Sequence, residues 1–486
     1  MHPSLWQLRH ALPAFPSLSS DIHVDVAVIG GGLCGLLIAH RLQQNGLRVC
    51  VLERGRIAQA TTGHTTAKIT SQHGLLYADL IDAFGPAHAK QYAQAQQHAI
   101  EQYAHLIASE QIACSFERKS AYLYATHHPA PLLREWKAIQ TLGLPAHWEQ
   151  KLPLPLSVEG AICFDSQAQF DPLAFLQGLA DHLPIYEQTC ANRIEPHHVY
   201  TSHGTVHCQS IVVATHFPFR NTPGYYFMRM HQQCSYVLAL SHIPHVDGMY
   251  IDIDPEGFSW RMQDELLLFG GAGHRTGDHD PAGGMFDRLR IAAKQLMPKA
   301  QEEACWSAQD CMTLDRLPYI GPYAEHLQDV YVATGFGKWG MTNAMVAANI
   351  IDGYIQDHPL PYSDLFSPQR PSLSHGLGQL WGNGCHAVRG LAAQALTGGQ
   401  AELDALPPGH GGIVHLNGQK AGVYKDEQGR IYPVSTKCPH MGCQLVWNPD
   451  EKTWDCPCHG SRFDPYGHVL DTPAVKSLPS LLFPDV

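Results

Sequence analysis

The chain has 486 residues, 44% of them hydrophobic and 16% charged, with a formal net charge of -12. That length exceeds a single core and implies two or three domains, while the acidic balance excludes a general nucleic-acid binder, which would present a basic face. No apolar run approaches the roughly 20 residues of a membrane helix, and "MHPSLWQLRHALPAFPSLSS" lacks a cationic region followed by an apolar block, so the expected compartment is the cytoplasm.

In chain order, "VDVAVI" at 24–29 reads as a buried parallel strand: short, apolar and rich in valine. "GGGLCG" follows at once, then the helical pattern "LLIAHRLQQNG", then a second apolar strand, "RVCVLE", ending at Glu53. Gly30, Gly32 and Gly35 therefore stand between strand and helix. Gly30 suits a tight turn, Gly32 a close approach of backbone to pyrophosphate, and Gly35 close packing of helix on strand. The helix N-terminus favours the anion, and Glu53 is placed to accept from ribose hydroxyls. Residues 75–110 are helical in composition. Residues 225–275 alternate apolar and polar in "SYVLAL", "MYIDID" and "ELLLFGGAG", as an antiparallel sheet does.

After about 365 the chain loosens into "SPQRPSLSHGLGQLWGNG" and a short helical stretch, "CHAVRGLAAQALTG". From about 406 short strands dominate, and "CPHMGC" at 438–443 is echoed by "CPCHGS" at 456–461. Cys438, His440, Cys456 and His459 form a Cys2His2 set, which zinc can accept tetrahedrally. The second cysteine of each loop, Cys443 and Cys458, is more than zinc needs. The other ten of the 14 cysteines show no framework spacing and read as reduced and mostly buried.

The stretch "RGRIAQATTGHTTAKITSQHG" at 54–74 resembles the glycine/D-amino-acid oxidase superfamily of FAD-dependent oxidoreductases, where a polar loop runs along the ribityl chain and flavin. "QSIVVATH", "MTLDRLPYIGP" and "VYVATGFGKWGMTNAMVAANIIDGY" resemble later segments of that family, so that the likeness covers about 1–360. It implies FAD contacts at Gly30, Gly32, Gly35, Glu53, Arg54, Thr61, Thr62, His64, Thr65, Thr66, Gly337, Lys338, Gly340 and Met341, with Ile194 meeting adenine through its backbone. His64 and Cys311 are offset from the family's flavin-linking positions, which implies noncovalent FAD. His274 and Arg275, in "GGAGHRTGD", are candidates for binding a substrate carboxylate, and Lys338 for facing the flavin. These three are the catalytic candidates; Lys68 is divided evenly between flavin loop and surface.

The paired loops strongly resemble the Rieske domain. That likeness implies that Cys438 and Cys456 hold one iron of a 2Fe-2S cluster, that His440 and His459 hold the other, and that Cys443 and Cys458 form a disulfide. It also places the histidines outward at the loop tips, as the electron exit. High-potential Rieske loops carry a tyrosine where this chain has Phe463, so one hydroxyl donor to sulfur is missing and a lower potential is expected.

The expected architecture is α/β: a Rossmann-like FAD-binding domain with an inserted antiparallel-sheet substrate domain, followed by a C-terminal all-β Rieske domain. The expected boundaries are 1–365 for the oxidoreductase (75–190 and 220–310 contributing to the substrate domain), 366–405 for a linker with a short helix, and 406–486 for the Rieske domain. The implied function is a dehydrogenase that oxidises a small amine or amino acid and passes electrons from FAD to the cluster and on to an external one-electron acceptor, a protein or a quinone. The alternatives are an amine oxidase that reduces O2 beside a structural or regulatory cluster, and a redox carrier or sensor without a small substrate.

Overall fold

The computed structural model describes residues 2–278, 280, 282–370, 403–416 and 419–481. The expected linker helix falls on 385–398, outside the described residues.

Strand Val26–Ile29 lies inside a six-stranded sheet, parallel to Ser210–Val213 on one side and Val49–Leu52 on the other. Val26 and Val28 belong to one hydrophobic core, Ala27 and Ile29 to another. Both faces of the strand are covered, which is why its sequence is continuously apolar rather than alternating. Val330–Thr334 and Ile185–Tyr186 extend the sheet in parallel, and Tyr319–Pro322 closes one edge antiparallel. Helices Leu33–Gln44 and Gly340–Ile355 pack on each other over the Val26 and Val28 face. At Gly35 an added Cβ would lie 1.9 Å from the Gly30 carbonyl oxygen, so helix and strand touch there as only glycine permits.

The helix expected over 75–110 spans Tyr77–Ser109 and breaks at Gly85, whose φ of 80° precedes Pro86. The sheet expected over 225–275 comprises Met230–Ser241, Met249–Asp252, Ser259–Gln263 and Leu266–Arg275. It is widened by Gln301–Thr313 on one side and by Glu117–Ala125 and Gly160–Gln169 on the other. This layer stands against the six-stranded sheet across the cavity described below.

The C-terminal part is all-β: a three-stranded sheet (His410–Leu416, Gln419–Lys425, Ile431–Val434) and a four-stranded one (Val446–Asn448, Thr453–Asp455, Arg462–Phe463, Val469–Asp471). The two cysteine–histidine loops leave this frame before Val446 and between Asp455 and Arg462. Among the described residues no helix is long and apolar enough to cross a membrane.

Candidate functional site

A cavity of about 890 Å³ runs between the six-stranded sheet and the antiparallel layer. Two helices begin at its wall, with Gly32 and Trp339 as N-caps that supply no side-chain cap. The Leu33 N–H donates to the Thr62 hydroxyl at 3.1 Å, and both helix N-termini present their positive end to the cavity, where an anion is favoured. Glu53 is held at the lip: one carboxylate oxygen accepts the Gly31 N–H at 2.8 Å and the other the Gly55 N–H at 2.8 Å. Gly30 has φ +113°, and a Cβ there would meet the Ala214 carbonyl at 2.5 Å, so the turn tolerates no side chain. A long cavity with a helix N-terminus at its wall, a bare glycine turn and a fixed carboxylate fits a dinucleotide such as FAD.

Of the residues implied as FAD contacts, Gly30, Gly32, Glu53, Arg54, Thr61, Thr62, His64, Thr65, Thr66, Lys338, Gly340 and Met341 line this cavity. Gly35 serves the packing behind it. Gly337 (φ +54°) shapes the turn by donating its N–H to the Cys311 carbonyl at 3.0 Å. Ile194 is buried in the core, while Cys190, Ala191 and Asn192 beside it reach the wall. Cys311 is buried and is not a lining residue. Lys338 donates to the Ser235 hydroxyl at 2.9 Å. His73, held neutral by burial, stacks on Trp339 at 4.8 Å and braces the turn that starts the second helix.

His274 and Arg275 stand elsewhere. Gly270, Gly271 and Gly273 line the cavity, but a bulge between Cys234 and Tyr236 shifts the pairing by one residue, and side-chain directions change with it. The His274 ring meets the Tyr236 hydroxyl at 3.1 Å, and the Arg275 guanidinium reaches to 3.4 Å from the Cys458 carbonyl oxygen. Sequence reading also missed wall residues that no local pattern announces: His216, Asp310, and, from the far end of the chain, Leu470, Asp471, Thr472 and Lys476. Lys68, left undecided above, is in the wall and 9% exposed.

The second centre lies in the all-β part. Cys438 and Cys456 are 2% and 1% exposed. The Cys438 thiol is held below its ordinary value by a shared hydrogen bond with Cys456, by the backbone N–H groups of His440 and Met441, and by the Ser461 hydroxyl. The His440 and His459 rings lie 4.9 Å apart at 88°, and the Nδ1 atom of each is buried without a hydrogen-bond partner among the described residues. A buried imidazole nitrogen is ordinarily satisfied, so two such atoms beside two sulfurs are a donor set awaiting a metal. The set fits a 2Fe-2S cluster bound through two thiolates and two Nδ1 atoms. The Cys443–Cys458 disulfide, as the resemblance implied, ties the two loops together.

Phe463 is fully buried in the same apolar cluster as these four cysteines. Phe463→Tyr is expected to raise the cluster's midpoint potential in an EPR-monitored redox titration, because a hydroxyl donor to sulfur stabilises the added electron. An unchanged potential with the cluster intact sinks that argument.

The two centres share a wall. The Gln309 side-chain amide donates to the Gly460 carbonyl at 2.7 Å, and its own backbone carbonyl accepts from the Thr61 hydroxyl, a cavity residue, at 3.0 Å. The Gln232 amide is shared among the carbonyls of His459 (3.1 Å), Gly460 (3.0 Å) and Thr472 (2.8 Å). Both glutamines are buried, at 4% and 1% exposure. At Gly277 a Cβ would fall 2.5 Å from Pro457 Cα, and at Gly460 2.6 Å from Gln232 Cβ, so the surfaces meet backbone to backbone at the first and backbone to side chain at the second. Arg54 adds a bond to the Leu470 carbonyl at 2.7 Å. The outward histidine edge expected from the resemblance is corrected by this docking. Phe227 meets both imidazoles edge-on at 5.5 Å, His440 Nε2 donates to Asn221 Oδ1 at 3.0 Å, and His459 is 8% exposed. An apolar ring and an amide acceptor on the oxidoreductase part cover the polar tips, burying His459 and leaving His440 half buried.

Comparison with known proteins agrees with this geometry. The family model "FAD dependent oxidoreductase" matches residues 25–352, and "Rieske [2Fe-2S] domain" matches 400–482. YhfW of Bacillus subtilis, named as a Rieske 2Fe-2S iron-sulfur protein, is 36% identical over 489 residues, covering 97% of this chain and 96% of that one. Glycine oxidase from Geobacillus kaustophilus superposes with a TM-score of 0.61 at 19% identity, covering 72% of this chain and 99% of that one. L-proline dehydrogenase from P. horikoshii gives 0.60 at 18%, covering 73% and 98%. The chain belongs to the FAD-dependent oxidoreductase family, and it carries a Rieske 2Fe-2S domain at its C-terminal end.

Proposed function

We propose that this protein is a dehydrogenase that oxidises the C–N bond of a small amine or amino acid and delivers the electrons, by way of its Rieske domain, to an external one-electron acceptor. When bound, FAD supplies two-electron hydride chemistry and the 2Fe-2S cluster supplies one-electron transfer. The observation that carries the reading is the shared wall: Gln309 touches the loop of Cys456 and His459 through its side chain and the flavin loop through its backbone carbonyl. A cluster that served only to hold a remote domain together would need no such contact. The two superposed structures named above are, by their own names, an oxidase and a dehydrogenase of amino acids, which favours a substrate of that class here.

The chain's own residues divide the work. Glu53 and the two helix N-termini would hold the dinucleotide, with the antiparallel layer on one side of it and Leu470–Thr472 covering it from the Rieske side. The two histidines have different surroundings. His459 is buried and held through its carbonyl by Gln232, whereas His440 is only half buried and is followed by Met441, 51% exposed. With both groups bound, the His459 side would suit exchange with the flavin and the His440 side exchange with an external acceptor. The test is an anaerobic screen of amines and amino acids on holoprotein, following both chromophores. A true substrate is expected to bleach the flavin absorption first and the oxidised-cluster absorption second. Flavin bleaching with the cluster left oxidised, and rapid peroxide formation in air, would replace this reading by the oxidase.

A further inference from the structure

We propose that His147, Cys163 and Asp165 hold a zinc ion at the edge of the antiparallel layer, in a metal site separate from both redox centres. None of the three lines the flavin cavity, and none belongs to the Rieske part. Strand Ala146–Glu149 pairs antiparallel with Gly160–Gln169, its one strand partner among the described residues. His147 stands directly opposite Cys163 in that pair, so their side chains share one face of the sheet. Asp165, two positions after Cys163, reaches the same place. Its Oδ2 lies 3.3 Å from His147 Nδ1, and its Oδ1 accepts from the Cys163 thiol at 3.7 Å.

One donor atom from each of the three lies within 4.8 Å of the other two. Bond lengths of about 2.0–2.3 Å around a tetrahedral zinc put neighbouring donors about 3.3–3.6 Å apart. The observed N···O and S···O separations of 3.3 and 3.7 Å match edges of such a tetrahedron. The His147 and Asp165 side chains are half exposed, which leaves the fourth corner to water. The surroundings favour the same assignment. Glu149 Oε1 stands 3.3 Å from His147 Nε2. A carboxylate there favours the proton on Nε2 and leaves the Nδ1 lone pair for a metal, as a carboxylate behind a metal-binding histidine does. The Ser120 hydroxyl donates to Asp165 Oδ1 at 2.7 Å and steadies that carboxylate. Cys163 is fully buried, flanked on its other side by Tyr122, whose ring stacks on Tyr250 at 4.6 Å. Burial pushes the Cys163 thiol up to about 11, so without a metal it is protonated and unreactive. Zinc binding releases that proton and leaves a thiolate ligand. Thiolate, imidazole and carboxylate together suit zinc, whereas magnesium and calcium want oxygen ligands. The ligands come from both strands of the pair, so the ion would clip the short edge strand to the layer.

Holoprotein is dialysed against zinc held at a submicromolar free concentration by a chelator, and zinc and iron are then counted per chain. A single zinc is expected beside the irons of the cluster. His147→Ala, Asp165→Asn and Cys163→Ala are each expected to lose it with iron and flavin content unchanged. The first two replace exposed side chains, so they keep the test open if Cys163→Ala folds poorly. Glu149→Gln is expected to weaken zinc by about ten- to a hundredfold, the effect of a residue that only positions a ligand. Cobalt in place of zinc should add thiolate charge-transfer absorption to the difference spectrum, and Cys163→Ala should lack it. Wild-type protein that holds no zinc at this concentration overturns the proposal. So does zinc that all three variants retain, because it then sits on other histidines. Zinc that needs His147 and Asp165 but survives in Cys163→Ala, with no charge-transfer band, overturns the ligand set.

Discussion

Cys456→Ser is expected to purify with full flavin and no 2Fe-2S cluster. Cys456 is 1% exposed and packs in the same apolar cluster as Cys438, so its sulfur stands where the proposed cluster would be held. A serine oxygen is a poor ligand for this cluster type, where two sulfurs hold one iron, and no spare thiol replaces it because Cys443 and Cys458 are joined. The flavin cavity survives, since most of its wall comes from residues before 345. Iron and inorganic sulfide should fall to background, the EPR signal of the reduced cluster should vanish, and FAD should stay near one per chain. With substrate, the flavin should still bleach anaerobically while delivery to an external acceptor stops. Retention of iron by the serine variant would mean that the ligand set is assigned wrongly.

The second large effect concerns stability. Arg462 is 3% exposed and lies opposite Asp455 in the antiparallel pair from which the Cys456–Ser461 loop emerges. Its guanidinium reaches Asp455 at 3.4 Å, Glu451 at 3.6 Å and Asp471 at 3.6 Å. Asp455 and Glu451 are 0% and 1% exposed, so their charges have little access to water. Arg462→Met keeps much of the volume but leaves buried carboxylates without their cation, a change that costs about 3–5 kcal/mol. In a domain of this size that corresponds to a fall on the order of 10 °C or more in its unfolding midpoint. The cluster should be lost on heating before the flavin, because the pair closes the base of the ligand loop. Adding Glu451→Gln and Asp455→Asn should recover part of the loss, since neutral groups no longer need the cation. A scan in which Arg462→Met unfolds within a degree or two of wild type would show that the network is not stabilising.

Much of this molecule is written locally in its sequence. The strand–glycine–helix unit at 24–44 is legible because each residue type answers to its immediate neighbours: Gly35 to the Gly30 carbonyl, Gly30 to its own φ and to Ala214. The two cysteine–histidine loops are legible for the same reason, and the disulfide followed from the likeness they carry. Less legible were the directions of side chains along a strand. Gly270–Arg275 alternates as expected until a bulge opposite Cys234–Tyr236 shifts the count, and a pattern of residue types carries no mark of that shift. His274 and Arg275, read as carboxylate binders, consequently stand outside the cavity. Lys68 had no clear reading, because nothing adjacent to it reveals that Arg261, 193 residues later, is buried beside it.

The sequence by itself, through the family likenesses it carries, pointed to both cofactors and to Cys438, His440, Cys456 and His459 as the residues expected to hold the cluster, because those likenesses reside in short contiguous loops. Only the tertiary structure decided how the two centres face each other. The docking of Gln232 and Gln309 on the Gly460 loop, and of Phe227 and Asn221 on the two imidazoles, joins residues more than 150 positions apart. Those contacts follow from burial and from backbone carbonyls seeking donors, and any buried glutamine would read the same way in one dimension. The His459 tip is buried and the His440 tip half buried for that reason, since Phe227 and Asn221 come from a distant part of the chain.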